Sequence, residues 1–121
     1  MSEGINQNKK LAVIGSRTFQ DYIFLCNRLK LHNPSMIISG GAMGADRLSE
    51  QYARQEGLPI LIFYPKWSLG KSAGFLRNTK IIEAAEEVVA FWDGASKGTL
   101  DSIDKANDLG RKLYIYQFND Q

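Results

Sequence analysis

The chain has 121 residues, 44% of them hydrophobic and 23% charged, with a formal net charge of +2. This suits a single globular domain with a real core. No apolar run reaches membrane-spanning length and no signal peptide is visible, so a cytoplasmic protein is expected. Cys26 and His32 are each the sole residue of their type, which leaves no disulfide framework and argues against a transition-metal site. The mild basicity is only a weak argument for a broad phosphate-reading face.

Residues 1–9 are expected to form a loose tail, polar and without period from Met1 to Asn8. The run Leu11-Ala12-Val13-Ile14 predicts a first strand, ending in Gly15-Ser16-Arg17. Asp21 is a candidate helix cap, with Tyr22, Leu25, Cys26 and Leu29 on one helical face and Asn33-Pro34 as the stop. Met36 to Ser39 predicts a second strand. It runs into Gly40-Gly41-Ala42-Met43-Gly44 and then a helix from about Ala45 to Glu56, closed by Gly57. Ile60 to Phe63 predicts a third strand. Pro65 to Gly74 reads as irregular, carrying Lys66, Trp67 and Lys71. A helix from about Ala73 to Glu86 should bury Ile81, Ile82 and Ala85. Val88 to Trp92 predicts a fourth strand, followed by the turn Asp93-Gly94-Ala95-Ser96-Lys97-Gly98. The last helix should run from about Thr99 to near Gly110, with Ile103, Ala106 and Gly110 on one side, before an edge strand from Lys112 to Phe118.

Strict alternation of strand and helix predicts a three-layer α/β/α domain over 10–121, built on a five-stranded parallel sheet of order 3-2-1-4-5. In such a sheet every strand-to-helix loop leaves at the same edge. Gly15-Ser16-Arg17, the Gly40 to Asp46 turn and the Asp93 to Thr99 turn should therefore share one mouth. Helix N-termini, small residues, the Ser16, Ser96 and Thr99 hydroxyls and the Arg17 guanidinium would hold an anion there. Asp46 and Asp101 also suit helix starts without any ligand, and Ser96 and Thr99 suit plain capping. Neither the dinucleotide fingerprint nor the lysine-containing phosphate loop is present: Ser39-Gly40 replaces the acidic end of strand two, and Gly70-Lys71-Ser72 has Pro65 where the loop needs glycine.

Taken together, Gly15-Ser16-Arg17-Thr18-Phe19, Gly40 to Asp46, Pro65-Lys66-Trp67, Gly74-Phe75-Leu76-Arg77-Asn78 and Phe91 to Thr99 resemble the SLOG superfamily, in its YspA/YpsA-related branch, over roughly Lys10 to Phe118. The resemblance implies a Rossmann-like fold and a nucleotide or nucleotide-derived ligand, with no required cofactor. It adds Arg77 and Asn78 to the candidate ligand-binding residues, which are Gly15, Ser16, Arg17, Gly40, Gly41, Ala42, Met43, Gly44, Asp46, Asp93, Gly94, Ser96, Gly98 and Thr99. Asp93 is expected to contact ribose hydroxyls. The chain is also similar to the lonely-guy phosphoribohydrolases, which implies N-glycosidic hydrolysis with Arg77 and either Asp93 or Asp101 as catalytic residues. Those enzymes carry glutamate where this sequence has Ser102, and glycosidic cleavage needs a carboxylate. Similarity to the DNA-processing recombinase loader implies single-strand binding, with Lys66, Lys71, Arg77 and Lys80 as cations and Trp67 as a stacking ring. The preferred expectation is a sensor or effector module for a small nucleotide-like ligand. Nucleic acid is the lesser expectation, no membrane partner is expected, and Tyr114 and Tyr116 offer apolar surface for a homodimer.

Overall fold

The computed structural model describes residues 9–119; the expected tail over Met1 to Asn8 lies outside them. The elements are β1 (Lys10–Gly15), α1 (Tyr22–His32), β2 (Met36–Ser39), α2 (Ala45–Glu56), β3 (Ile60–Ile62), a 3-10 turn (Trp67–Leu69), α3 (Ala73–Ala84), β4 (Glu87–Trp92), α4 (Lys97–Asp108) and β5 (Lys112–Gln117). All strand pairs are parallel and the order is β3-β2-β1-β4-β5, as expected of a Rossmann-like sheet.

Alternation along β1 divides the core into two layers. Leu11 and Val13 pack with Leu25 and Leu29 of α1 and with Tyr52 and Ala53 of α2. Ala12 and Ile14 face the other way, onto Ile81 and Ile82 of α3 and Ile103 and Ala106 of α4. A strand buried on both faces reads as one continuous apolar run, which is how β1 and β4 read in the sequence. Helices α1 and α2 therefore cover one face of the sheet, and α3 and α4 the other.

Strands β3 and β5 each stop one residue short of expectation, and helices α3 and α4 differ by two residues. Helix α3 stops at Ala84, short of Glu86, because Ala85 turns extended and the Glu86 amide donates to the Lys10 carbonyl at 2.9 Å, so strand pairing takes over. Helix α4 begins two residues before Thr99, because Ser96 caps it through a bond from the Thr99 amide. Gly110 lies beyond α4, exposed and at φ 68°, and is not on its buried side.

On β5, Tyr114 and Tyr116 are half-buried against α1. Tyr116 stacks on Phe91 at 5.6 Å between ring centroids, and its hydroxyl lies 3.1 Å from His32 Nε2. Tyr114 packs edge-on against the His32 ring. Both tyrosines therefore turn toward the α1 layer, and the exposed apolar side chain between them is Ile115. No helix among the described residues is long and apolar enough to cross a membrane.

Candidate functional site

The first loop is held by Ser16. Its amide donates to the Phe91 carbonyl at 2.9 Å, and its buried hydroxyl accepts from the Asp93 amide at 3.1 Å. The exit of β1 is thereby tied to the exit of β4. Ser16 also offers its carbonyl to the amides of Phe19 and Ala45, so the second loop joins the same knot. Arg17 follows directly and its side chain is exposed.

Around this knot two clefts adjoin on the α3/α4 side. The inner one, of about 100 Å³, is floored by Ile14 and Ile81. It is walled by Gly15, Arg17, Ala42, Asp46, Arg77, Asn78, Ser96, Gly98, Thr99 and Ser102. The outer one, of about 320 Å³, is lined by Gly40, Gly41, Met43, Arg47, Tyr64, Pro65 and Trp67, and it shares Arg17, Ala42 and Arg77 with the inner cleft. Three junctions separated in sequence thus meet at one rim. A further hollow of about 440 Å³ lies on the α1 side, among Phe19, Phe24, Gln117 and Phe118. Among the described residues it has no cationic lining residue.

Electrostatics of the inner cleft centre on Arg77 and Asp46. Arg77 Nη1 donates to the Gly40 carbonyl and, at 3.5 Å, to that of Phe63, while Nε donates to Asn78 Oδ1 at 3.0 Å. The guanidinium thus satisfies carbonyls at the ends of β2 and β3 and forms a wall of both clefts. Burial lowers its pKa, the Asp46 charge opposes that shift, and the Arg17 charge adds to it. Gly40 lies between the two side chains: a Cβ there would be 2.7 Å from Arg77 Nη1 and 2.9 Å from Asp46 Oδ2.

Asp46 is buried, and burial raises its carboxyl pKa from 3.8 to about 6, against the lowering effect of the Ala42 amide and the Arg77 charge. One helical turn on, Glu50 is buried too, and Ser39 Oγ donates to its Oε2 at 2.6 Å. A carboxyl whose folded pKa is raised contributes stability that is fully present below pH 3.8 and lost as pH rises through about 6. The Asp46→Asn variant should retain an acceptor for the Ala42 amide without the buried charge. It is expected to be more stable than the parent at pH 7, by on the order of 3 kcal/mol, with the gain vanishing toward pH 3.5. Paired urea melts across that range check this.

Several candidate residues take other partners. The Asp93 carboxylate accepts from the Ala95 and Ser96 amides, both at 2.8 Å, and these bonds hold its pKa below the ordinary value. Gly94 backs onto the Gln117 side chain. Asp101 Oδ2 lies 2.8 Å from Lys105 Nζ and 3.2 Å from Asn78 Nδ2. Neither Asp93 nor Asp101 is among the residues lining the two clefts, whereas Ser102 lines the inner one, and Asp101 is linked to Arg77 through Asn78. Among the described residues, Asp46 is the sole carboxylate lining either cleft. Among the described residues no cluster suited to a metal ion is found.

Helix α4 presents its start to the inner cleft. The Thr99 amide is taken by Ser96 Oγ at 3.4 Å, and a helix start leaves its first amides without intrahelical acceptors, here those of Lys97 and Gly98. Arg47 and Tyr64, absent from the sequence-based candidates, both line the outer cleft. The position of Tyr64 just past the C-terminal end of β3 was the available signal. Trp67 is 62% exposed, so it does not cover the core.

The profile of the YspA, cpYpsA-related SLOG family matches residues 9–70, just over half of the chain, including the β1 and β2 exits and the start of the outer cleft. The chain belongs to this SLOG family. The Gene 61 protein of Mycobacterium phage D29 is 30% identical over 125 residues, a match covering 93% of this chain and 98% of that protein. Among solved structures, DNA processing protein A (DprA) of Streptococcus pneumoniae superposes with a TM-score of 0.76 at 22% identity over 89% of this SLOG chain, which spans half of that protein's length. DNA processing protein A of Helicobacter pylori, described for its single-stranded DNA binding mode, superposes with a TM-score of 0.67 at 22% identity, covering 96% of this chain and 69% of that one. At that identity the two structures establish the shared fold.

Proposed function

We propose that this SLOG domain binds a phosphate-bearing nucleotide or nucleotide derivative at the C-terminal edge of its sheet, as a sensor or effector module. The observation that carries the reading is the shared inner cleft, where Arg17, the Gly40 to Gly44 loop and the start of α4 come together. A phosphate there would take charge-assisted bonds from Arg17 and the free amides of α4, with the helix dipole behind them. Ser96 and Thr99 hydroxyls stand beside it. With Asp93 and Asp101 engaged elsewhere and Ser102 in the wall, the arrangement favours holding the ligand over cleaving it. Calorimetric titration with adenosine 5′-monophosphate tests the reading against an Arg17→Ala control.

A single-stranded nucleic acid is the second reading, favoured by charge distribution. From Gly57 to Ile82 there is no acidic residue, while Lys66, Lys71, Arg77 and Lys80 fall in that stretch. The Helicobacter neighbour, described for single-stranded DNA binding, supports the same direction. Each neutralised phosphate of a single strand contributes roughly −0.7 to the slope of log affinity against log salt. The triple variant Lys66→Ala, Lys71→Ala, Lys80→Ala should therefore flatten that slope by about 2 for an oligothymidylate. Binding insensitive to salt would end this reading.

A further inference from the structure

The outer cleft has features that phosphate binding alone does not require. Two large rings stand at its wall, Tyr64 at 68% and Trp67 at 62% exposure. Tyr64 is seated on a glycine. A Cβ on Gly41 would be 2.5 Å from Tyr64 Cε1, so only a glycine lets the ring lie on that turn. A Cβ on Gly74 would be 3.9 Å from Trp67 Cη2, which puts the indole over the start of α3. Between them Pro65 fixes its own φ and holds Tyr64 to extended backbone. The Tyr64 ring is thus backed by the Gly41 turn, the tip of the Trp67 indole nears the start of α3, and most of the surface of both rings faces water. A flat apolar surface held in this way loses little conformational freedom when something stacks on it.

The lining also limits what stacks there. Among the described residues, the outer cleft holds Arg17, Arg47 and Arg77 and no carboxylate. A flat guest bearing negative charge fits this set, and a cationic one does not. Because Arg17, Ala42 and Arg77 belong to both clefts, the stacking surface and the start of α4 are parts of one continuous site. The inner cleft, at about 100 Å³, suits a phosphate group, whereas the outer, at about 320 Å³, has room for a ring system as well.

We propose that Tyr64 and Trp67 form a stacking platform for a nucleobase, so that the site takes a nucleoside monophosphate unit, free or within a single strand, in preference to a sugar phosphate. This inference rests on the anion-binding reading above and adds to it the identity of the second half of the ligand.

The test uses calorimetry on the full chain with three probes: adenosine 5′-monophosphate, ribose 5-phosphate and a hexathymidylate. The parent protein should bind at least one base-bearing probe about tenfold or more tighter than ribose 5-phosphate, given that stacking on one aromatic ring is worth roughly 1–3 kcal/mol. Tyr64→Ala and Trp67→Ala should each remove about tenfold of that affinity and leave ribose 5-phosphate unchanged, while Tyr64→Phe keeps the parent value. Both rings are exposed, so the variants should fold, which circular dichroism verifies. A preference for the mononucleotide identifies a free ligand, and a preference for the hexamer identifies a strand; either supports the platform. If ribose 5-phosphate binds as tightly as the base-bearing probes, or if both alanine variants keep parent affinities, the platform is overturned while Arg17-dependent phosphate binding still stands. If no probe binds, both readings fall together.

Discussion

Replacing Arg17 with alanine is expected to abolish most anion affinity while leaving the fold intact. Arg17 lines both clefts, and its exposed side chain is not part of the loop-tying hydrogen bonds, which come from Ser16 and from backbone groups. A hydrogen bond to a charged partner is worth about 1.5–3 kcal/mol, so the variant should bind adenosine 5′-monophosphate roughly ten- to a hundredfold more weakly. Unfolding free energy should move by less than about 0.5 kcal/mol, as for a surface substitution away from special features. Arg77→Ala is expected to behave differently. Its guanidinium satisfies the Gly40 and Phe63 carbonyls and neighbours the buried Asp46, so its loss should lower stability together with affinity. Equal affinity of Arg17→Ala and the parent would show that the cleft does not hold the phosphate.

The second large effect concerns Gly44, whose replacement by alanine should cost roughly 3 kcal/mol of stability and with it the site. The residue sits at φ 77° and ψ −128°, outside the left-handed helical basin, where an L side chain is strained by about 1–3 kcal/mol. A Cβ would also be driven against the Ser16 carbonyl and lie 2.6 Å from the Arg17 carbonyl, and overpacking of that kind costs typically 1–3 kcal/mol. Gly57 supplies the internal control. It is in the left-handed helical conformation, φ 71° and ψ 30°, where Gly44 has ψ −128°, and nothing lies within 4 Å of its Cβ position, so Gly57→Ala should cost only about 1 kcal/mol. Chemical denaturation of both variants measures the difference, to which the backbone conformation of Gly44 and the loop-to-loop crowding both contribute. Equal destabilisation would show that the first and second loops do not press on each other at Gly44.

The sheet order and the meeting of three loops were legible because they depend on patterns that the chain writes locally. Apolar runs such as Leu11 to Ile14 and Val88 to Phe91 mark strands buried on both faces, and alternation with helices fixes where their ends must lie. What each side chain does at the rim depends on neighbours distant in sequence. Asp93 reads as a free carboxylate, yet it is taken up by amides two and three residues on. Asp46 reads as a favourable charge at a helix start, yet the packing of Gly40 and Arg77 over it makes it a buried acid. Tyr64 carried no motif of its own; its position on Gly41 follows from β3 lying beside β2. Tyr114 and Tyr116 alternate with exposed residues as an edge strand should, but which side they face was decided by His32 and Phe24 of α1.

The Ser16 hydroxyl bond to the Asp93 amide has a bearing on traffic at this edge of the sheet. By lacing the two central strands together where doubly wound proteins commonly gape, it works as a partition wall. The hollow beside Phe19 and Phe118 and the paired clefts beside Arg17 become separate rooms.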